Sequence, residues 1–241
     1  MANRTLLVIG ATGDVGQGIA RSACENGWSV IGAARNEAKL QDLATCMASA
    51  YPGAFHPLVG DVSTQAGAQE LWHAAIAATG SMDAVIVSIN ALNRSCRLMD
   101  WTLEDLAGLF QTNLLSHFNV VKAMVPLLPD HGMLIGIGGG TADFIIPNMA
   151  PLSMVQAALR MLYRGLVREH EHGAVVRELM IASMVNGASK RDDAQAEWLT
   201  DQEIGRHVCA ILARPQDYPD PVIEIARHSQ VGRPAIPKHQ R

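Results

Sequence analysis

The chain has few of the features that mark specialised classes of protein. Only four cysteines occur in 241 residues, Cys24, Cys46, Cys96 and Cys209, and no two of them form a C-x-x-C pair. That spacing excludes a disulfide framework and a zinc site, and the thiols read as buried free groups in a reducing compartment. No block of like charges is present, and 19 Lys+Arg against 23 Asp+Glu leave a net charge of −4. Such a balance argues against nucleic acid or an anionic membrane as the main partner. Long apolar runs are missing too. The first, Leu6 to Ile9, stops at Gly10, so no signal peptide is expected. The uncharged stretch 144–159 carries Pro147 and Pro151 and is too short to span a bilayer. Internal repeats, low-complexity segments and linkers are also absent. What remains is a chain 49% hydrophobic, which excludes disorder and suits one large α/β domain over residues 1–241, in the cytoplasm.

Short apolar runs alternate with helical patterns from end to end. Strands are expected at Thr5–Ile9, Ser29–Ala34, Phe55–Val59, Ala84–Ile89, Met133–Ile137, Val175–Ala182 and Pro221–Ile225. They are apolar throughout, without strict alternation, as parallel strands covered on both faces should be. Helices fall between them. Asn26-Gly27 and Pro52-Gly53 end the first two, and Thr102 with Asp105 and Thr200 with Glu203 read as capping boxes. Leu152, Val155, Leu159, Leu162 and Leu166 form one stripe at helical spacing, with Pro151 in the first turn. The pattern predicts an α/β fold: a single Rossmann-like, doubly wound parallel sheet of about seven strands flanked by helices. Only the tail from about residue 227, with Pro234 and Pro237, reads as loosely held.

After the first strand comes Gly10-Ala11-Thr12-Gly13-Asp14-Val15-Gly16-Gln17-Gly18. Between a strand and a helix, such glycines permit a tight turn and a close backbone approach to a pyrophosphate. The helix N-terminus then offers N–H groups and a positive dipole end to that anion. Asp14 is awkward beside phosphate and is expected to turn to the helix terminus or to solvent. Nineteen residues after Gly16, the second strand is followed by Arg35-Asn36. An acidic residue there would take the ribose 2′-hydroxyl of NAD, whereas Arg offers a charged fork to the 2′-phosphate of NADP, so NADP(H) is favoured over NAD(H). Asp61-Val62 is placed to meet the adenine, and Ser88-Ile89-Asn90 to pass the nicotinamide ribose.

At this point the chain resembles the short-chain dehydrogenase/reductase family over nearly its whole length. The likeness lies in the Gly-x-x-Gly-x-x-Gly loop, the Arg after the second strand, Asp61-Val62 and the end of the fourth strand. It continues in Asn113-Leu114-Leu115-Ser116-His117-Phe118 with Pro126, and in Ile204-Gly205 and Val231-Gly232-Arg233-Pro234. The resemblance implies an oxidoreductase acting on a small carbonyl or alcohol, and a homodimer or homotetramer built on the helices around Asn113 and Leu159. It also implies a catalytic Asn, Ser, Tyr and Lys, the last two as Tyr-x-x-x-Lys. Tyrosine would protonate the alkoxide, an ammonium would lower the tyrosine pKa, and serine would hold the substrate oxygen.

Here the sequence departs from the family. Anchoring on Gln156-Ala157-Ala158-Leu159 puts Gly139 at the serine, Leu152 at the tyrosine and Gln156 at the lysine, and only Asn113 matches. No register rescues the motif, because the residues four after Tyr51, Tyr163 and Tyr218 are Phe55, Val167 and Val222. Tyr163 lies about 16 Å further along the helix than Leu152, and Ser153 points about 100° away round it. Asp143 reads as a solvated loop acid, with an approach to the cleft as the alternative, and His117 as a packed histidine, with a proton relay as the alternative. Gln156 can still bond ribose hydroxyls. The polar stretch Asn186 to Asp193 names no substrate, and its Lys190 and Arg191 read as a solvated cluster. Three functions stay open: an oxidoreductase with a non-standard proton donor, a non-catalytic dinucleotide-binding protein, and a lyase, dehydratase or isomerase of the same fold.

Overall fold

The apolar runs become parallel strands because both their faces find cover. In the computed structural model, which describes residues 4–91, 94–169 and 173–234, these are β1 (Thr5–Ile9), β2 (Ser29–Ala34), β3 (Phe55–Val59), β4 (Ala84–Val87), β5 (Met133–Gly139) and β6 (Val175–Ile181). A two-residue pair follows, β7 (Val185–Asn186) with β8 (Leu199–Thr200), and then β9 (Val222–Ile225). The main sheet has the order β3-β2-β1-β4-β5-β6-β9, every neighbouring pair parallel. It is the doubly wound α/β sheet expected. Pro57 sits on β3, an edge strand paired only with β2, where one missing N–H costs no ladder bond on the open side.

Helices α1 (Asp14–Glu25), α2 (Glu37–Ala50), α3 (Gln65–Thr79), α4 (Leu103–Phe110), α5 (Ser116–Met124), α6 (Ala150–Glu169) and α7 (Asp201–Ala213) cover the two faces. Ile19, Leu43 and Val208 of α1, α2 and α7 pack with Val8 and Ile135 into one core layer. Leu71, Val120 and Leu159 of α3, α5 and α6 pack with Leu7 and Leu134 into the other. Alternate residues of one strand thus enter opposite layers, which is why these strands show no polar face. No described helix is long and apolar enough to cross a membrane.

Several local expectations change in the structure. Thr200 and Glu203 do form a complete capping box. Thr102 accepts from Asp105 N, but the Asp105 carboxylate is taken by Arg94 at 2.5 Å, so the reciprocal half is not made. Residues 227–233, read as loosely held, are tied down. Gly232 N donates to His207 Nδ1, Arg214 to Gly232 O, and Ala226 and Arg227 N to Gln230 Oε1. His228 also meets Glu203 at 2.8 Å, while Pro237 lies outside the described residues. All four cysteines are free, but only Cys24 and Cys209 are buried, where desolvation pushes each thiol up to about 12.

Candidate functional site

The chain leaves β1 to one side of the sheet and β4 to the other, and a crevice opens above the C-terminal ends of both strands. It holds a cavity of about 600 Å³. Its floor is the glycine turn. Gly10 has φ +83°, and a Cβ there would fall 2.1 Å from Ser88 O, so no other residue fits. Gly10 and Ala11 N–H both donate to Ala33 O, which ties the turn to β2. Gly13 opens α1 with no side chain capping the first-turn N–H groups, leaving them to an anion.

Gly10, Thr12, Gly13, Arg35, Asn36, Asp61, Val62, Ser88, Ile89 and Asn90 all line this cavity. Asp14, Val15, Gly16 and Gln156 do not. Gly16 instead lets α1 close on the turn, since a Cβ there would lie 2.1 Å from Gly10 O. Asp14 turns neither to its own helix terminus nor to open solvent. Its carboxylate accepts from Ser189 N at 2.9 Å and from the Ser189 hydroxyl, fastening the loop after β7 to the start of α1 beside the glycine turn. Distant pairing of this kind, 175 residues apart in sequence, carries no local signal.

Arg35 stands just beyond β2. Asn36 caps α2 by accepting from Lys39 N at 2.9 Å, so Lys39 falls in the first turn of that helix and lines the same edge. Neither cation has an ion pair among the described residues. Lys39 is not among the residues that the sequence pattern singles out, although it lies only four residues after Arg35. The other missed lining residues include Ser63 after β3, and Thr112 and Ser116 before and within α5.

Asn113 sits in a π-type turn, Gln111–Leu115, that interrupts the run from α4 into α5. It is fully buried. Its Oδ1 accepts from Ala91 N at 2.6 Å, and its Nδ2 donates to Ala91 O and Leu109 O. Asn113 therefore pins the backbone that follows β4. The widened turn that places it follows no hydrophobic period, so the sequence pattern shows a plain helix there.

At the end of β5 the side chains turn inward. Gln156 Oε1 accepts from Gly139 N at 2.7 Å, and Gln156 is 1% exposed, so it does not reach out to a ribose. Leu152 is buried and offers no proton. Ser153 donates to Phe144 O at 2.9 Å. Asp143 is not simply solvated but meets Arg160 at 2.7 Å. His117 is packed at a helix interface, 3.0 Å from the Tyr163 hydroxyl and 3.2 Å from Ile89 O. A carbonyl only accepts, so Nε2 carries the hydrogen and Tyr163 donates to Nδ1. Burial holds this imidazole down to about 4 and pushes the Tyr163 phenol well above its usual range. Neither is poised as an acid near neutral pH.

A family model described as enoyl-(acyl carrier protein) reductase matches residues 10–213. NADPH-dependent pterin aldehyde reductase of Arabidopsis thaliana is 25% identical over 178 residues, 73% of each chain. In shape, the chain is similar to an alcohol dehydrogenase of the archaeon Thermococcus sibiricus complexed with 5-hydroxy-NADP. The TM-score is 0.78 at 21% identity, covering 92% of this chain and 94% of that one. It is also similar to a short chain oxidoreductase of Pseudomonas aeruginosa PAO1 described as containing an atypical catalytic center. Here the TM-score is 0.82 at 18% identity, over 92% and 95% of the two chains.

Proposed function

The chain belongs to the short-chain dehydrogenase/reductase family, and from that premise we propose that it is an NADP(H)-dependent oxidoreductase of a small carbonyl or alcohol that works without the family's serine, tyrosine and lysine. One observation carries the cofactor choice: Arg35 and Lys39, both without an ion pair among the described residues, line one edge of a cavity whose floor is an uncapped helix N-terminus. Two sites for anions on one wall suit a dinucleotide bearing a further phosphate. The NADPH named for the plant relative agrees with this choice.

The residues present fit such a group. The backbone of the Gly10–Gly13 turn would hold the pyrophosphate, Arg35 and Lys39 the 2′-phosphate, and Asp61 and Val62 the adenine. The loop after β4, held in place by Asn113, would pass the nicotinamide ribose. When bound, a dihydronicotinamide supplies a hydride. Fixed orientation is then the chain's main contribution to rate, since Gly139, Leu152 and Gln156 place no ionisable group at the positions of the family's proton donor. Absence of a positioned acid costs roughly 10² to 10⁴ in rate.

That deficit also favours a second reading, a dinucleotide-binding protein with no turnover. Titration with NADPH and NADH by cofactor fluorescence tests binding, and NADPH consumption across a carbonyl panel separates the two readings. Binding with turnover supports the oxidoreductase, and binding without it supports the second. No binding rejects both. We further read the exposed Leu115 and Phe118 beside Asn113, with Met154 and Met161 of α6, as the face that joins copies into a homodimer or homotetramer. Light scattering of a monomer would refute that.

A further inference from the structure

Between β5 and α6 the chain runs Phe144-Ile145-Ile146-Pro147-Asn148-Met149, six residues without a charge. Phe144 and Ile145 are 54% and 67% exposed, and Pro147 is exposed as well. The backbone of this loop is held while those side chains stand out. Phe144 O accepts from the Ser153 hydroxyl at 2.9 Å, Ile146 O from Met149 N at 2.9 Å, and Asn148 O from Cys96 N at 3.1 Å. Asn148 takes φ +66°, a left-handed conformation that asparagine tolerates better than most residues. Its bond to Cys96 joins the loop after β5 to the loop after β4. Met184, 44% exposed, stands just beyond β6. The ends of β5 and β6 lie in contact there, since a Cβ on Gly140 would fall 2.8 Å from Ala182 Cα. Phe144, Ile145 and Met184 thus rise from the C-terminal ends of two neighbouring strands. Large apolar side chains left bare together mark a place where something apolar binds.

What binds there follows from how a dinucleotide lies in the crevice. Arg35 and Lys39 mark the β2 side as the end for the adenosine phosphate. A dinucleotide crosses the switch between β1 and β4, so its reacting end falls on the β4–β5 side, below the loop that carries Phe144 and Ile145. We infer that Phe144, Ile145 and Met184 form an apolar wall of the substrate site, and that the substrate is a carbonyl or alcohol carrying an aryl group or an alkyl chain, not a sugar or other polyol. The inference rests on the oxidoreductase reading. Gly139 and Leu152 agree with it: one has no side chain and the other is apolar and buried, so neither can replace the water that a polyol's hydroxyls would give up. The Ser153 hydroxyl donates to Phe144 O, and Asp143, the acid next to the loop in sequence, is paired with Arg160 at 2.7 Å. An alkyl or aryl group gives up no hydrogen bonds on entry, and it takes the bare faces of Phe144 and Ile145 out of water.

The test is a series of straight-chain aldehydes from butanal to decanal at saturating NADPH, with glyceraldehyde and erythrose as polyol controls. For wild type, kcat/KM should rise about two- to fourfold with each methylene that reaches the wall, and the polyols should fall below butanal. Phe144→Ser and Ile145→Ser should each lower the decanal-to-butanal ratio of kcat/KM roughly 10-fold, and Phe144→Leu should restore most of it. Both side chains are exposed, so the variants should fold, which circular dichroism checks. Calorimetric titration of the NADPH-loaded protein with decanamide, an amide that hydride does not reduce, should show binding that weakens about 10-fold in Phe144→Ser. A flat chain-length profile in wild type, or a ratio that neither serine variant changes, overturns the inference while turnover of butanal keeps the oxidoreductase reading. A Phe144→Ser protein that dissociates into monomers with its ratio unchanged assigns the loop to contact between copies and overturns it too. Absence of NADPH binding, or of turnover with every aldehyde, overturns the oxidoreductase reading and the inference with it.

Discussion

Replacing Arg35 by Ala should separate NADPH from NADH, and the structure bounds by how much. The guanidinium is exposed and has no carboxylate partner among the described residues, so its removal leaves no orphaned charge behind. A charge-assisted hydrogen bond contributes roughly 1.5–3 kcal/mol when shielded from water, and an exposed ion pair about 0.2–1 kcal/mol. A phosphate resting on the open cavity edge lies between these limits, at about 1–2 kcal/mol. That corresponds to a roughly 5- to 30-fold weaker Kd for NADPH. Lys39, in the first turn of α2, should show a smaller loss. The double variant should fall short of the product of the two, because both cations serve one phosphate. NADH lacks that phosphate and should change less than about twofold. The wild-type preference for NADPH should also shrink as ionic strength rises. Fluorescence titration of both nucleotides against the three variants reads all of this. Equal weakening of NADPH and NADH would mean that Arg35 holds the fold or the ribose instead of a phosphate, and no weakening of either would remove it from the site.

Tyr163→Phe removes the only hydrogen donated to His117 Nδ1 and leaves that buried nitrogen unpaired, at a cost of about 1–3 kcal/mol. For a chain of this length that is a fall of roughly 2–10 °C in Tm, and a change below 1 °C would contradict the assigned hydrogen bond. Glu178 and His117 should pull stability in opposite directions with pH. Glu178 is raised from 4.5 to about 7 in the fold, so its contribution is full below pH 4.5 and is lost as pH rises through 7. His117 is lowered from 6.5 to about 4, so its contribution is present above pH 6.5 and is lost as pH falls toward 4. Urea denaturation should therefore find Glu178→Gln gaining on wild type between pH 5 and 8, by up to about 3 kcal/mol; a gap independent of pH would show the carboxyl to be ionised throughout. Gly139→Ser should fold normally, because the nearest atoms to its Cβ lie at ordinary contact distance, whereas Gln156→Leu should cost about 1–3 kcal/mol by orphaning Gly139 N. Similar Tm values for those two variants would argue against the Gln156–Gly139 bond.

The elements that the sequence showed clearly are those whose cause is local. Thr5–Ile9, Ser29–Ala34 and Phe55–Val59 read as strands to the residue, because each apolar run is cut off by glycine, a cap or a turn. The glycine loop and Arg35 were legible for the same reason: neighbours in sequence are neighbours at the cavity. What escaped depended on pairs far apart in the chain. Asp14 finds Ser189 across 175 residues and Gln156 finds Gly139 across 17. The tail from 227 is fastened by His207 and Glu203, which no pattern near Pro234 announces.

The catalytic end of the cleft is the harder case, because the sequence there declares only what is missing. Gly139, Leu152 and Gln156 were found as three departures from a family pattern, and three departures alone suggest an idle site. In the structure they are not idle in the same way. Leu152 joins the buried surface, but Gly139 and Gln156 bond to each other, while the neighbouring Gly138 lies against the carboxyl of Glu178, which the family resemblance did not single out. Arg177 and Glu178 together interrupt the apolar β6 run. In a strand covered on both faces an ionisable side chain is costly unless something holds it, and the two carboxyl oxygens of Glu178 have no hydrogen-bond partner. Two arginines of α6 offset only part of that cost.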